Sequence, residues 1–141
     1  VIISLPGGRA VAINRRLVAL QQRLRDLTLP MIDIGEYLRI AHDHRFQVQV
    51  SPQGTPWAPL SPYYLKQKPR NKDKVLVLYG HLKGTLHYNP SPRGLEFGSN
   101  RVYAATHQFG RGKIPARPFL GLNAGDRLEV LHLVEEWIIG V

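Results

Sequence analysis

Apolar residues recur at helical spacing at both ends of the chain and at strand spacing in its middle. Ile13, Leu17, Leu20, Leu24 and Leu27 follow one another at steps of four and three, which places them on one stripe of a helix. Arg15, Arg16, Arg23 and Arg25 fall off that stripe. Thr28 and Pro30 interrupt the pattern, because proline is accommodated only in a helix's first turn. A second helix follows, with Met31, Ile34, Leu38 and Ala41 on its buried face. Asp33 and Glu36 have capping-box spacing, and Thr28 is the competing start. Both stripes are expected to pack in the core.

The pattern changes after Ser51. Pro52, Pro56, Pro59, Pro62 and Pro69 exclude a continuous helix or a central strand, so residues 51–74 are expected to form an extended arm or loop. It carries Trp57, Tyr63 and Tyr64, then Lys66, Lys68, Arg70, Lys72 and Lys74 at every second position. Such a length is uncommon in a compact domain without a role or mobility, and both readings stay open. Residues 75–98 read as strands: Val75 to Leu78 is a short apolar run, and Leu82, Leu86 and Tyr88 alternate with His81, Lys83, Thr85 and His87. Asn89 to Gly94 supplies a turn, and Leu95 and Phe97 return as the second hairpin strand. Val102 to Phe109 is a short helix or turn, and Gly110 to Ile114 a basic glycine-rich loop. Asn123, with Asp126 three residues on, caps a last helix whose stripe is Leu128, Leu131, Val134 and Ile138, widened by Val130 and Trp137.

Composition narrows the class. The chain's 141 residues, 43% hydrophobic and 21% charged, fit one globular domain, divided into 1–12, a helical 13–46, the 51–74 arm, a 75–122 sheet and crossover, and a helix at 123–141. There is no run of about 18 apolar residues to span a membrane, and Val1 to Leu5 is too short for a signal-peptide core. With no cysteine, disulfide scaffolds, thiolate metal sites and thiol catalysis are excluded. The net charge of +9 suits a polyanion such as nucleic acid, or acidic protein partners. Four acids against one arginine make the last helix acidic, so the cations gather at Arg9 to Arg25, at 66–74 and at Arg93 to Arg117.

Catalytic signatures are missing. His42 and His44, two apart, point different ways on a helix, and no carboxylate or cysteine stands at ligand spacing from any of the six histidines, so no metal or cofactor is expected. The serines sit in turn-like contexts without a nucleophile elbow, and Gly110-Arg111-Gly112-Lys113 is not a phosphate-binding loop. We expect no enzyme; a histidine-dependent nuclease is the outlying alternative, with His107 as its first candidate. The densest stretch is 102–122, where Pro115 and Pro118 fix the backbone around Arg117 and Phe119 and Leu120 supply an apolar anchor. It is either a rigid crossover that docks the last helix or, in addition, a surface where Arg117 grips a neighbouring chain.

The pattern Tyr103-Ala104-x-x-His107-Gln108-Phe109-Gly110, a basic loop, then Ile114-Pro115-Ala116-Arg117-Pro118-Phe119-Leu120-Gly121-Leu122 resembles the bacteriophage virion morphogenesis family, the tail-completion proteins of Mu-like and P2-like phages. Ile34-Gly35-x-x-Leu38, Arg45-Phe46, Pro52-x-Gly54-x-x-Trp57-x-Pro59-Leu60, Leu78-x-Gly80-x-Leu82-x-Gly84 and Phe97-Gly98-Ser99 agree in order, while Lys83-Gly84-Thr85-Leu86 stands where a serine-rich segment is expected. The resemblance implies an α+β fold, an antiparallel β-sheet packed against N-terminal and C-terminal helices. It also implies a structural virion protein at the head–tail junction (tail completion, tail terminator or neck). By the same resemblance the protein is expected to assemble in the host cytoplasm as a homo-oligomeric ring, a hexamer or else a 12-mer. Connector or adaptor and tail-tube proteins are its expected neighbours, the DNA in the channel is an open further one, and no membrane partner is expected. Trp57, Tyr63, Tyr64, His107, Gln108, Phe109, Arg117 and Phe119 become the expected interface, and Lys66, Lys68, Arg70, Lys72, Lys74, Arg111 and Lys113 the expected contacts to DNA or acidic partners. A basic nucleic-acid-binding protein is the alternative. Arg117→Ala or Phe119→Ala is expected to leave soluble protein that does not assemble.

Overall fold

The computed structural model describes residues 7–61, 66–67 and 84–140, with only the backbone for 7–11 and Val102. Helix α1, Gly7–Arg25, ends where Asp26 accepts the Thr28 N–H at 3.0 Å together with the Thr28 hydroxyl. Those bonds start α2, Thr28–Val48, at the earlier of its two candidate positions, leaving Pro30 in the first turn and Asp33 inside the helix. α2 runs two residues past the expected end at 46 and stops at Gln49 (φ 65°), whose N–H returns to the Arg45 carbonyl at 2.7 Å.

α2 lies between the other elements. On one side is the hairpin β1, His87–Ser91, and β2, Gly94–Gly98, paired antiparallel from His87 opposite Gly98 to Ser91 opposite Gly94. The expected turn over 89–94 is thus only Pro92 and Arg93. Pro90 is tolerated within β1 because, among the described residues, the sheet has two strands and both are edges. The hairpin meets α2 at Gly35: a Cβ there would lie 2.4–2.6 Å from the Tyr88 ring, so only glycine lets the ring lie on the helix. The Tyr88 hydroxyl donates to Glu36 at 3.0 Å, and Leu27 N–H donates to the Pro92 carbonyl at 3.0 Å, fixing both ends of the hairpin. Helices and an antiparallel sheet make the fold α+β, as expected; the strand expected at Val75 to Leu78 lies outside the described residues.

On its other side α2 carries α4, Ala124–Ile139, reached through α3, Val102–Phe109, and an extended crossover. Asn123 caps α4 as expected: Asp126 N–H donates to its side chain at 2.7 Å, and its own N–H donates to Asp126 at 3.0 Å. Asp126 is also buried, paired with Arg45 and accepting from the Tyr37 hydroxyl at 2.9 Å. Burial alone raises its pKa, but the Asn123 N–H, Arg45 and Tyr37 together hold it below the usual carboxylate value. The ion pair sets the rotation of α4. Val130, Leu133 and Trp137 follow Asp126 inward at helical spacing and are half-buried; of the expected stripe Val134 and Ile138 are half-buried too, whereas Leu128 and Leu131 are exposed.

The core stripe of α2 is as expected, with Ile34 and Leu38 buried, but that of α1 is not. Only the last turn of α1 is docked: the Arg23 guanidinium lies 4.3 Å over the Trp137 ring and donates to the Trp137 carbonyl at 2.6 Å, and Trp137 Nε1 donates back to the Arg23 carbonyl. Ile13, Leu17 and Leu24 remain exposed.

Candidate functional site

The crossover between α3 and α4 is built from polar groups that stand in for backbone partners. Gln108, on α3, accepts the N–H groups of Phe119 and Leu120 at 3.1 and 3.0 Å and donates to the Leu120 carbonyl at 2.9 Å. One amide side chain thereby holds an extended segment that pairs with no strand among the described residues. Arg117 N–H donates to the His107 carbonyl at 2.7 Å, and its guanidinium donates to the carbonyls of Ala58 and Pro59 at 2.7 and 2.9 Å. His42, fully buried on α2, donates from Nδ1 to Leu38 at 2.7 Å and accepts the Gly121 N–H at Nε2. Burial holds its pKa below the ordinary histidine value, which keeps the ring neutral, as an accepting Nε2 requires.

Phe46, Trp57, Ala104 and Phe119 form the core beneath, with Phe46 5.2 Å from Trp57 and 5.9 Å from Phe119 between ring centres. Trp57 Nε1 donates to the Pro118 carbonyl at 2.6 Å. Trp57 comes from the stretch expected as an arm, but residues 51–61 of it are pinned to the body. Ser51 N–H donates to the Thr55 carbonyl at 2.8 Å, Trp57 N–H to the Gln49 carbonyl at 3.0 Å, and Asn123 Nδ2 to the Pro52 carbonyl at 3.0 Å.

This geometry divides the expected interface residues. Trp57, Arg117 and Phe119 are buried, and Gln108 is occupied by the crossover, so these side chains are satisfied within their own chain. Arg117 matches the crossover-docking reading, with backbone carbonyls in place of a neighbour. His107 is half-buried beside Tyr103; burial and then the Arg117 cation lower its pKa. Tyr63, Tyr64, Lys68, Arg70, Lys72 and Lys74 lie outside the described residues, and Lys66 is exposed.

Phe109 is the member that faces solvent, 79% exposed at the end of α3. Gly110 (φ 77°) turns the chain there, and a Cβ on it would lie 2.9 Å from the Ala116 nitrogen, so glycine is needed for both reasons. The following turn is closed by Arg111 N–H to the Ile114 carbonyl at 3.0 Å and carries Arg111 and Lys113 outward. Tyr103, which lines one shallow depression with Phe109 and Arg111, is exposed as well, and so is Ile114 at the end of the turn. Neither was expected at the site, although Tyr103, four residues before His107, begins the motif that drew attention to it. The Arg45–Asp126 pair was missed as well, since nothing in a lone Arg and a lone Asp 81 residues apart announces a contact. Among the described residues, no helix is long and apolar enough to cross a membrane.

The family model described as the phage virion morphogenesis family matches residues 9–138. The chain is similar to tail completion protein S of Escherichia phage P2, with 27% identity over 121 residues, covering 76% of this chain and 78% of the relative. Among solved structures, none matches.

Proposed function

Since this chain belongs to the phage virion morphogenesis family, we propose that it completes the tail at the head–tail junction, as a ring of identical subunits that joins tail to head. A structural role in the phage tail is what the family supplies. The junction, the ring and its neighbours are our reading. The observation that carries it is the crossover unit: a segment fixed by Gln108, Arg117 and His42, at whose start Phe109 stands out in solvent with the exposed Tyr103 beside it. Interfaces draw on such rigid aromatic anchors, because little entropy is lost when they dock. Arg111 and Lys113 follow Phe109 in the chain and suit an acidic connector or tail-tube surface, or DNA in the channel; by charge alone Lys66, Lys68, Arg70, Lys72 and Lys74 suit the same partners. The ring is hexameric, or twelvefold if it matches a connector of that symmetry, and subunits meet by contacts between unlike patches.

The reading is tested by making a phage that lacks this chain. Lysates are expected to contain filled heads and separate tails by electron microscopy. Joined, infectious particles at normal yield would contradict it.

A further inference from the structure

We propose that the outer face of α4 on one copy of this chain receives the exposed stripe of α1 from the next copy, head to tail. The inference rests on the ring reading above and names the contact that closes the ring. Among the described residues, apolar side chains stand open on α1, α2 and α4; on the two helices of opposite charge, Ile13, Leu17 and Leu24 of α1 are 45–53% exposed, and Leu128, Leu131 and Ile139 of α4 are 59–76% exposed. Exposed apolar side chains aligned along a helix in this way suit a docking face. From Ile13 to Leu24 and from Leu128 to Ile139 the stripes have equal length, about 16 Å at ~1.5 Å per residue.

Among the described residues the two stripes do not meet within one chain. Trp137, which holds the last turn of α1, lies on the side of α4 opposite Leu128, Leu131 and Ile139, about half a helical turn away at roughly 100° per residue. Charge then selects the pairing. α1 carries Arg9, Arg15, Arg16, Arg23 and Arg25 with no acid, whereas α4 carries Asp126, Glu129, Glu135 and Glu136 against Arg127. Packing α1 on α1, or α4 on α4, sets like charge against like; α1 on α4 sets opposite charges together. Glu135 stands within the open α4 face between Leu131 and Ile139, and Arg16 borders the α1 stripe beside Leu20. A contact between two different patches repeats from copy to copy, so a closing rotation makes a ring.

The chain has no cysteine, so introduced cysteines report this contact alone. Under mild oxidation of the purified chain, Leu17→Cys combined with Leu131→Cys is expected to give a ladder of covalent multimers on denaturing gels, and neither single variant is. No ladder from the pair, or dimers from a single variant, overturns the proposal. By native mass spectrometry, Arg16→Glu and Glu135→Arg are each expected to abolish the oligomer, and the double reversal to restore it. An oligomer that survives both single reversals overturns the contact while the ring stands, and a wild-type chain that remains monomeric at high concentration overturns it too. Absence of the chain from purified particles is the separate result that removes the ring reading.

Discussion

Asp126 does three things at once: it caps α4, turns that helix's inner face toward α2, and neutralises Arg45 in the interior. Asp126→Asn keeps an acceptor for the cap but leaves the buried guanidinium without its counter-charge. The expected loss of unfolding free energy is about 3 kcal/mol, read by urea denaturation; a loss below about 1 kcal/mol would place the pair at the surface in energetic terms. Acid acts on the same region. His42 has a lowered pKa, so the unfolded chain binds a proton that the folded chain refuses. Its contribution is complete above about pH 6.5 and falls as pH drops through the folded value. His107 acts in the same direction, and Asp126, also lowered, adds a second loss that begins below about pH 4. Melting temperature is therefore expected to decline from pH 7 to 5 and more steeply below 4, with His42→Gln weakening the upper decline. A profile flat from pH 7 to 4 would show that neither histidine is held neutral by the fold.

Between elements, packing is decided by a few close approaches. Gly35→Ala drives a methyl group into the Tyr88 ring, and the expected cost is about 1–3 kcal/mol by thermal or chemical denaturation. An unchanged melting temperature would mean the hairpin shifts freely on α2. Around the crossover, two phenylalanines should part company. Phe119→Ala empties the core beside Phe46 and is expected to cost about 3–5 kcal/mol, yielding poorly folded chain rather than the soluble, non-assembling protein expected from the motif. Phe109→Ser should leave the unfolding free energy within about 0.5 kcal/mol of wild type while abolishing head–tail joining in a complementation assay; normal joining would remove Phe109 from the interface. These elements also show what was legible beforehand. The helices, the Asn123 cap and the hairpin follow local rules of period and capping, which act between residues close in sequence. The side of α4 that turns inward depends on a partner 81 residues away, and Arg117 points at backbone carbonyls 58 and 59 residues away, which no periodicity encodes. For the same reason the α1 stripe, read as core from spacing, is open in the folded chain: spacing reports an apolar face without saying what covers it.

Across the described molecule, polar clamps and a small aromatic core tie the elements together, while apolar surface is left on α1, α2 and α4 and around Phe109. A net charge of +9 with an acidic last helix is a distribution suited to contacts between unlike faces, of copies and of neighbours. The central claim is that this chain works as a fixed part of the phage particle. Quantitative mass spectrometry of extensively purified, infectious particles tests it most directly. The account predicts that the chain copurifies at a small, constant number of copies per particle, a multiple of the ring's symmetry. Its absence from those particles, with the chain abundant in the lysate they came from, would contradict the account.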